Sequence, residues 1–275
     1  MQVGRNPAST RRRAVKGPPQ AASLDDIAIE EPLEIRVAGD PVAVTMRTPG
    51  NDRELSLGFL YAEGIIRSLD DVGSVAHCGR PEDEGFGNVI DVLPGPGVAL
   101  APERVLRARR GTLTSSSCGV CGRLSIDDLR ERCAPVDDAS TIDASTLTRC
   151  FEEMREHQKL FVRTGGVHAA ALFERGAGPA IVREDVGRHN AVDKVIGTLL
   201  LSRAPLTLGR VLTVSGRASF EIVQKAAVAA IPIVASVSAA SSLAIDLAEA
   251  TNVTLAAFVR SGSMTVYTHS ERIVF

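Results

Sequence analysis

Apolar and polar positions alternate with a period of two near the start of the chain. Leu33–Val37 and Val42–Met46 read as strands joined by the turn Ala38-Gly39-Asp40-Pro41. Pro49-Gly50-Asn51-Asp52 then supplies a turn and cap, and a helix is expected to run to about Glu63, with Gly64 at its C-terminal stop. Val89–Leu93 predicts another strand, closed by Pro94-Gly95-Pro96-Gly97. Residues 111–122 are small, polar and bounded by glycine, which reads as a loop or a loop feeding a helix. A helix is expected from a cap at Asp143 to about Gln158.

Beyond that point the period becomes regular. Val167–Phe173 and Ala180–Arg183 read as strands joined by the Gly176-Ala177-Gly178-Pro179 turn. Val192, Val195, Ile196 and Leu199 then fall on one helical face. Strand 210–214, helix 219–230, strand 233–237, helix 241–250 and strand 253–259 follow. Such alternation predicts a layered α/β domain over 141–275, with a largely parallel sheet and helices on both faces. A smaller α+β domain is expected over 23–140, after a basic tail over 1–22.

Charge defines the tail. Residues 1–20 hold Arg5, Arg11, Arg12, Arg13 and Lys16 and no acid, whereas the whole chain carries only −2. With Pro7, Pro18 and Pro19 and no apolar run, this segment is expected to lack regular structure. Arg11–Arg13 invites comparison with a twin-arginine export signal, but no hydrophobic stretch follows it. The most apolar stretch, 226–240, is too short for a bilayer and is broken by Pro232, so no membrane segment is expected. Aromatic residues make up 4% of the chain and Trp is absent, which argues against nucleic-acid binding on stacking platforms. Five cysteines without a signal peptide point to reduced thiols in a cytoplasmic protein.

The sharpest local signal is Thr112-Leu113-Thr114-Ser115-Ser116-Ser117-Cys118-Gly119-Val120-Cys121-Gly122. Hydroxyl donors ahead of Cys118, and glycines that let backbone amides approach, favour a thiolate. Two thiols at this spacing can share one sulfur. A thioredoxin-like pair has the same spacing but sits at a strand–helix junction of a βαβ unit, which the pattern here does not provide. A structural zinc site needs two more ligands, for which His77-Cys78 is the nearest candidate. A zinc deaminase needs His-x-Glu before Pro-Cys-x-x-Cys. Here Ser117 precedes Cys118, and His168-Ala169-Ala170 holds no Glu, so that chemistry is excluded. Cys133 and Cys150 read as packing residues.

Three strand ends carry cations. Glu184-Asp185-Val186-Gly187-Arg188-His189-Asn190 links a strand to a helix, and cations in a first helical turn oppose the helix dipole. Either Arg188 pairs with Glu184 or Asp185, or a bound anion reverses the sign. Ser215-Gly216-Arg217-Ala218-Ser219 repeats the arrangement, and Arg260-Ser261-Gly262-Ser263 follows the last strand. Carboxyl ends of parallel strands are where open α/β sheets bind ligands, and together these predict a large anion such as a nucleotide. Thr164-Gly165-Gly166-Val167-His168 adds one histidine at a strand start, a position usually filled by a structural, hydrogen-bonded residue.

Taken together these stretches resemble the formate dehydrogenase accessory sulfurtransferase family (FdhD/NarQ type). The resemblance rests on 47–52 with 57–60, on 117–122, 164–170, 184–194 and 215–219, and on Val266-Tyr267-Thr268-His269. It implies a cytidine-deaminase-like C-terminal domain without deaminase chemistry. It also implies a sulfurtransferase activity: sulfur from a cysteine desulfurase passes to the molybdenum bis-guanylyl pterin cofactor used by the formate dehydrogenase catalytic subunit. Cys118 would carry the persulfide and Cys121 would assist release or close a disulfide. The cofactor, with its GDP-like portion, would meet Phe258, Val259, Arg260, Ser261, Gly262 and Ser263, with Arg188, His189, Arg217 and His168 as further contacts. The protein would hold no metal of its own, and a homodimer is expected. The rival reading is a non-enzymatic chaperone that shelters the cofactor without needing Cys118. A zinc-binding or thiol-redox protein stands further off.

Overall fold

The basic N-terminal segment does not lack regular structure: it supplies strand β1 (Ser9–Lys16), paired antiparallel with β2 (Ala21–Ala28). Acids that the segment itself lacks come from its partner. Arg11 Nε donates to Asp26 Oδ1 at 3.2 Å, and Arg163 reaches Ser9 Oγ at 2.8 Å and Asp26 at 3.6 Å. This computed structural model describes residues 8–16, 21–80, 82–83, 85–98, 100, 133–174, 178–203 and 210–275. The remainder of the expected tail, and the Cys118–Cys121 loop, lie outside the described residues.

Strict alternation builds the next sheet. Along β3 (Glu31–Val37), Leu33, Ile35 and Val37 are buried while Glu34 and Arg36 face the other side. With β4 (Asp40–Arg47), β5 (Val72–His77) and β6 (Val89–Pro94) it forms a four-stranded sheet of order β4-β3-β6-β5, in which only β3 and β6 run parallel. Helix α1 (Asp52–Ala62) begins after Asn51, as the turn residues predict. Asn51 does not cap it with its side chain, however; that amide donates to Glu54 Oε1 at 2.9 Å.

The C-terminal half adds β7 (Ile142–Asp143), α2 (Ala144–Glu156), α3 (Lys159–Thr164), β8 (His168–Phe173), β9 (Pro179–Asp185) and α4 (Arg188–Leu201). There follow β10 (Val211–Val214), α5 (Phe220–Val228), β11 (Ile233–Ser236), α6 (Ser242–Ala250), β12 (Thr254–Arg260), β13 (Ser263–Thr268) and β14 (Ile273–Val274). Its six-stranded sheet has the order β13-β12-β11-β10-β8-β9. The sheet is mixed rather than largely parallel: β10, β11 and β12 are parallel neighbours, while β8 pairs antiparallel with β9 and β10, and β13 with β12. Short connections cause this, because strands joined by a tight turn must pair antiparallel, and only helical crossovers return a strand parallel. Since β8 lies between β9 and β10, the strands β9 to β12 still point the same way. Their carboxyl ends share one edge.

Helices cover both faces, as the alternation predicts. Val192, Val195 and Ile196 of α4 pack with Ala170, Leu172, Leu212 and Val234 on one face. On the other, Leu147, Cys150 and Met154 of α2 pack with Ala171, Phe173 and Val211. Cys150 is a packing residue, and burial, with Glu153 nearby, pushes its thiol up to about 12. The boundary expected near 140 separates two sheets but not two cores: Leu33, Ile35 and Ile90 of the first sheet belong to one apolar cluster with Val192, Val214 and Val234. Two glycines make this closeness possible. A Cβ on Gly58 of α1 would lie 2.6 Å from the carbonyl carbon of Asp193, and one on Gly197 of α4 would lie 2.6 Å from that of Glu54.

Candidate functional site

Three sequence-distant stretches meet at the carboxyl edge of β9 and β10. Pairing of His168 with Asp185, and of Ala170 with Val214, brings the start of β8 beside both strand ends. Ser215 bonds in both directions with Ala169: its N–H donates to Ala169 O, and its Oγ accepts from Ala169 N at 2.8 Å. A Cβ on Gly216 would sit 3.3 Å from both Arg188 Cδ and His168 Nδ1. His168, Arg188 and Gly216 thus form one wall. The sequence names all three and the sheet register unites them.

Arg188 does not pair with either neighbouring acid. Glu184 accepts from the backbone amides of Leu160 and Phe161 at 2.9 and 2.8 Å, at the start of α3. Asp185, fully buried, takes Lys194 Nζ at 2.7 Å, Gly187 N at 2.8 Å, Asn190 Nδ2 at 3.0 Å and Thr48 N at 3.1 Å. Arg188 Nε is consequently buried without a hydrogen-bond partner among the described residues. Leaving a buried donor unmade is costly.

His189 behaves differently from the expectation. Its Nε2 lies 2.8 Å from Glu221 Oε2 and 2.9 Å from Ser219 Oγ, so it ties the start of α4 to the start of α5 instead of standing free. Burial alone would push the Glu221 carboxyl up, but the hydrogen bond from His189, together with the charges of His189, Lys225 and Arg188, outweighs it and holds Glu221 below its ordinary value. At His168 the balance runs the other way. Burial, then the charges of Arg188 and His189, hold its proton affinity below the ordinary imidazole value, with Asp185 pulling back.

The remaining expected side chains lie on the same edge without joining that wall. Arg217 is exposed and stands two residues ahead of Ser219, the cap of α5, so it is not in the helix's first turn. Phe258–Ser263 forms the β12–β13 hairpin end, where Phe258, Ser261 and Gly262 adopt positive φ of 54°, 49° and 77°. Phe258, Arg260, Ser261, Gly262 and Ser263 face solvent. Val259 does not: it is 1% exposed and belongs to the core beside Ala256, so its side chain is no ligand.

Sequence reasoning missed the frame behind the site. Thr48 O accepts from Lys194 Nζ at 2.9 Å, Thr48 Oγ1 accepts from Val186 N at 3.1 Å, and Asn190 Nδ2 donates to Met46 O at 2.8 Å. Arg47, fully buried, is held by Asp52 at 3.0 Å, by Glu31 at 3.3 Å and by the Gly87 carbonyl at 3.0 Å. Below the site, Lys225 and Asp193 form a buried pair at 2.7 Å, and burial pushes the Asp193 carboxyl up to about 6 against the pull of Lys225. The signal available was a run of charged residues inside apolar helices, which the period alone places on buried faces. Among the described residues no three His, Cys, Asp or Glu side chains cluster to hold a metal ion, and no helix is long and apolar enough to cross a membrane.

The fold defines a mixed α/β protein whose strand-end loops gather His168, Arg188 and Gly216 at one edge of its larger sheet. The sequence profile of the FdhD/NarQ family matches residues 28–274, and the chain belongs to that family. Among curated relatives, the sulfur carrier protein FdhD of Anaeromyxobacter dehalogenans strain 2CP-C is 54% identical, over 92% of this chain and 90% of that protein. The protein of the same description from Mycobacterium tuberculosis is 52% identical, over 90% of this chain and 92% of its own. In structure the chain is similar to a crystal structure described as a candidate formate dehydrogenase accessory protein from Desulfotalea psychrophila. The TM-score is 0.76 at 26% identity, covering 98% of this chain and 100% of that one.

Proposed function

We propose that this chain is a sulfur carrier of the sulfurtransferase type that serves formate dehydrogenase. The observation that carries the reading is its identity of 54%, nearly end to end, with a sulfur carrier protein FdhD. In finer detail, the Cys118 thiolate attacks the outer sulfur of a cysteine desulfurase persulfide, and the desulfurase thiolate leaves. The Cys121 thiolate then attacks Cys118 and closes a Cys118–Cys121 disulfide. Sulfur leaves at the sulfide level, with the electrons drawn from the two thiolates, and reaches the molybdenum of a bis-guanylyl pterin cofactor that is cargo and not a resident group. The unpartnered Arg188 Nε supports cofactor holding, since a phosphate oxygen would satisfy a buried donor on a half-buried side chain that pairs with no acid among the described residues.

Mass spectrometry tests the carrier step. Incubation with a desulfurase and cysteine should add a sulfane sulfur to the wild-type chain and none to Cys118→Ala, with Cys133 and Cys150 unmodified. A Cys118→Ala chain that still matures its client fully would leave only the chaperone reading.

A further inference from the structure

We propose that His168, Arg188 and the backbone of Gly216–Arg217 form a proton-coupled seat for a phosphate ester anion, which takes the diphosphate of the guanylyl portion while His168 gains a proton. The inference rests on the cofactor-holding reading above and deepens it. Three kinds of observation converge on this wall. Arg188 Nε is a buried donor without an acceptor. The N–H groups of Gly216 and Arg217 likewise find no acceptor among the described residues, although their neighbours Ser215 and Ala218 donate to Ala169 O and Ala239 O. Neither ring nitrogen of His168 is hydrogen-bonded to a described residue, in contrast to His189, whose Nε2 is held by Glu221 and Ser219. Because residue 216 has no side chain, the Arg188 arm and the His168 ring both reach within 3.3 Å of where a Cβ would stand. Donors from a guanidinium and a loop backbone suit a tetrahedral phosphate, whose oxygens point several ways at once.

The coupling follows from charge. The groups facing His168 are Arg188 and His189 from α4 and Asp185 from β9, while the Gly216 loop contributes no charge against the ring. Burial first, then Arg188 and His189, disfavour the imidazolium in the free protein, with Asp185 pulling back. A dianion seated against Arg188 offsets that repulsion and favours the imidazolium. The bound state therefore holds its proton more tightly, and affinity rises as pH falls, by at most about tenfold per pH unit for one proton.

The test uses the full chain and GDP-mannose, whose diphosphate is esterified at both ends and does not titrate, unlike the terminal phosphate of GDP near pH 6. Titration calorimetry from pH 6 to 8, in two buffers of different ionisation enthalpy, measures proton uptake without any variant. The expected result is net proton uptake of up to one proton per ligand that passes through a maximum within this range, with affinity falling as pH rises. His168→Gln should abolish both uptake and pH slope while still binding, and Arg188→Gln should weaken binding by about tenfold or more at every pH. Wild-type binding without proton uptake, or uptake unchanged in His168→Gln, overturns the proposal and leaves cofactor holding in place. Failure of wild type to bind either GDP or GDP-mannose overturns both.

Discussion

The contact between α1 and α4 sets the position of everything on the candidate edge, because Arg188 and His189 begin α4. Gly197→Ala tests it. The added Cβ would stand 2.6 Å from the Glu54 carbonyl carbon and 2.9 Å from its Cα, where ordinary contact begins at 3.4 Å. The carbonyl oxygen of Glu54 is nearer still, and backbone cannot swing aside as a side chain can, so the helices must part by more than about 1 Å, at the upper end of the 1–3 kcal/mol typical of overpacking. Alanine returns about 1 kcal/mol through its better helix propensity. A net loss of about 2 kcal/mol remains, or roughly 4–8 °C in melting temperature for a chain of this size. Gly58→Ala, which meets Asp193 in the same way from the opposite helix, should match it. Chemical and thermal denaturation measure both. A neutral or stabilising Gly197→Ala, as expected of an uncrowded helical glycine, would refute the reading of this crossing as backbone against backbone.

Lys225→Met should destabilise by about 3–5 kcal/mol because it leaves Asp193 buried alone, whereas Asp193→Leu with Lys225→Met should recover most of the loss; urea melts of the two variants against wild type decide. His168 sits below its ordinary value of 6.5, so below that pH the unfolded chain takes up a proton that the fold resists, and stability falls as pH falls. His168→Gln should flatten that part of the acid limb in pH-dependent melting, and an unchanged slope would place the titration elsewhere. Purified protein should hold no stoichiometric zinc; one tightly bound zinc per chain, lost on Cys121→Ser, would make the Cys118–Cys121 pair a structural site.

The period of apolar positions was enough to locate the longer buried strands and helices of the C-terminal half, because each buries a face that repeats at two or near four. Val192, Val195, Ile196 and Leu199 are all nearly inaccessible, as their spacing requires. Pairing order was not legible. Nothing in Val167–Phe173 says that it inserts between β9 and β10, and that insertion is why the sheet is mixed. Strand β13 escaped notice because Ser263–Thr268 alternates exposed and half-buried residues on a sheet margin, with little apolar contrast. The basic segment departs from its expectation for a related reason: its countercharge, Asp26, lies on the strand that pairs with it. At the site, the motifs named Arg188, His168 and Gly216 but not their contact, which depends on strand register. The partner of His189 was invisible, since Glu221 lies 32 residues away and is brought near by a crossover.

That same crossover geometry explains why so many ionic groups are buried in a protein with an ordinary core. Asp185–Lys194 and Asp193–Lys225 are each 2.7 Å pairs within helix-packed surroundings, and buried pairs of this kind add little net stability against apolar replacements. What they add is register. Asp185 receives the Thr48 and Gly187 amides, Lys194 donates to Thr48 O, and Asn190 donates to Met46 O, so the end of β4 is bonded directly to the β9–α4 loop that presents Arg188. A shift of α4 along α1 breaks several of these bonds together, whereas an apolar contact would tolerate it. The N-terminal sheet is thus a brace for the candidate edge. Asp185→Asn should on this argument weaken GDP-mannose binding through loop position, more than its cost in melting temperature would suggest.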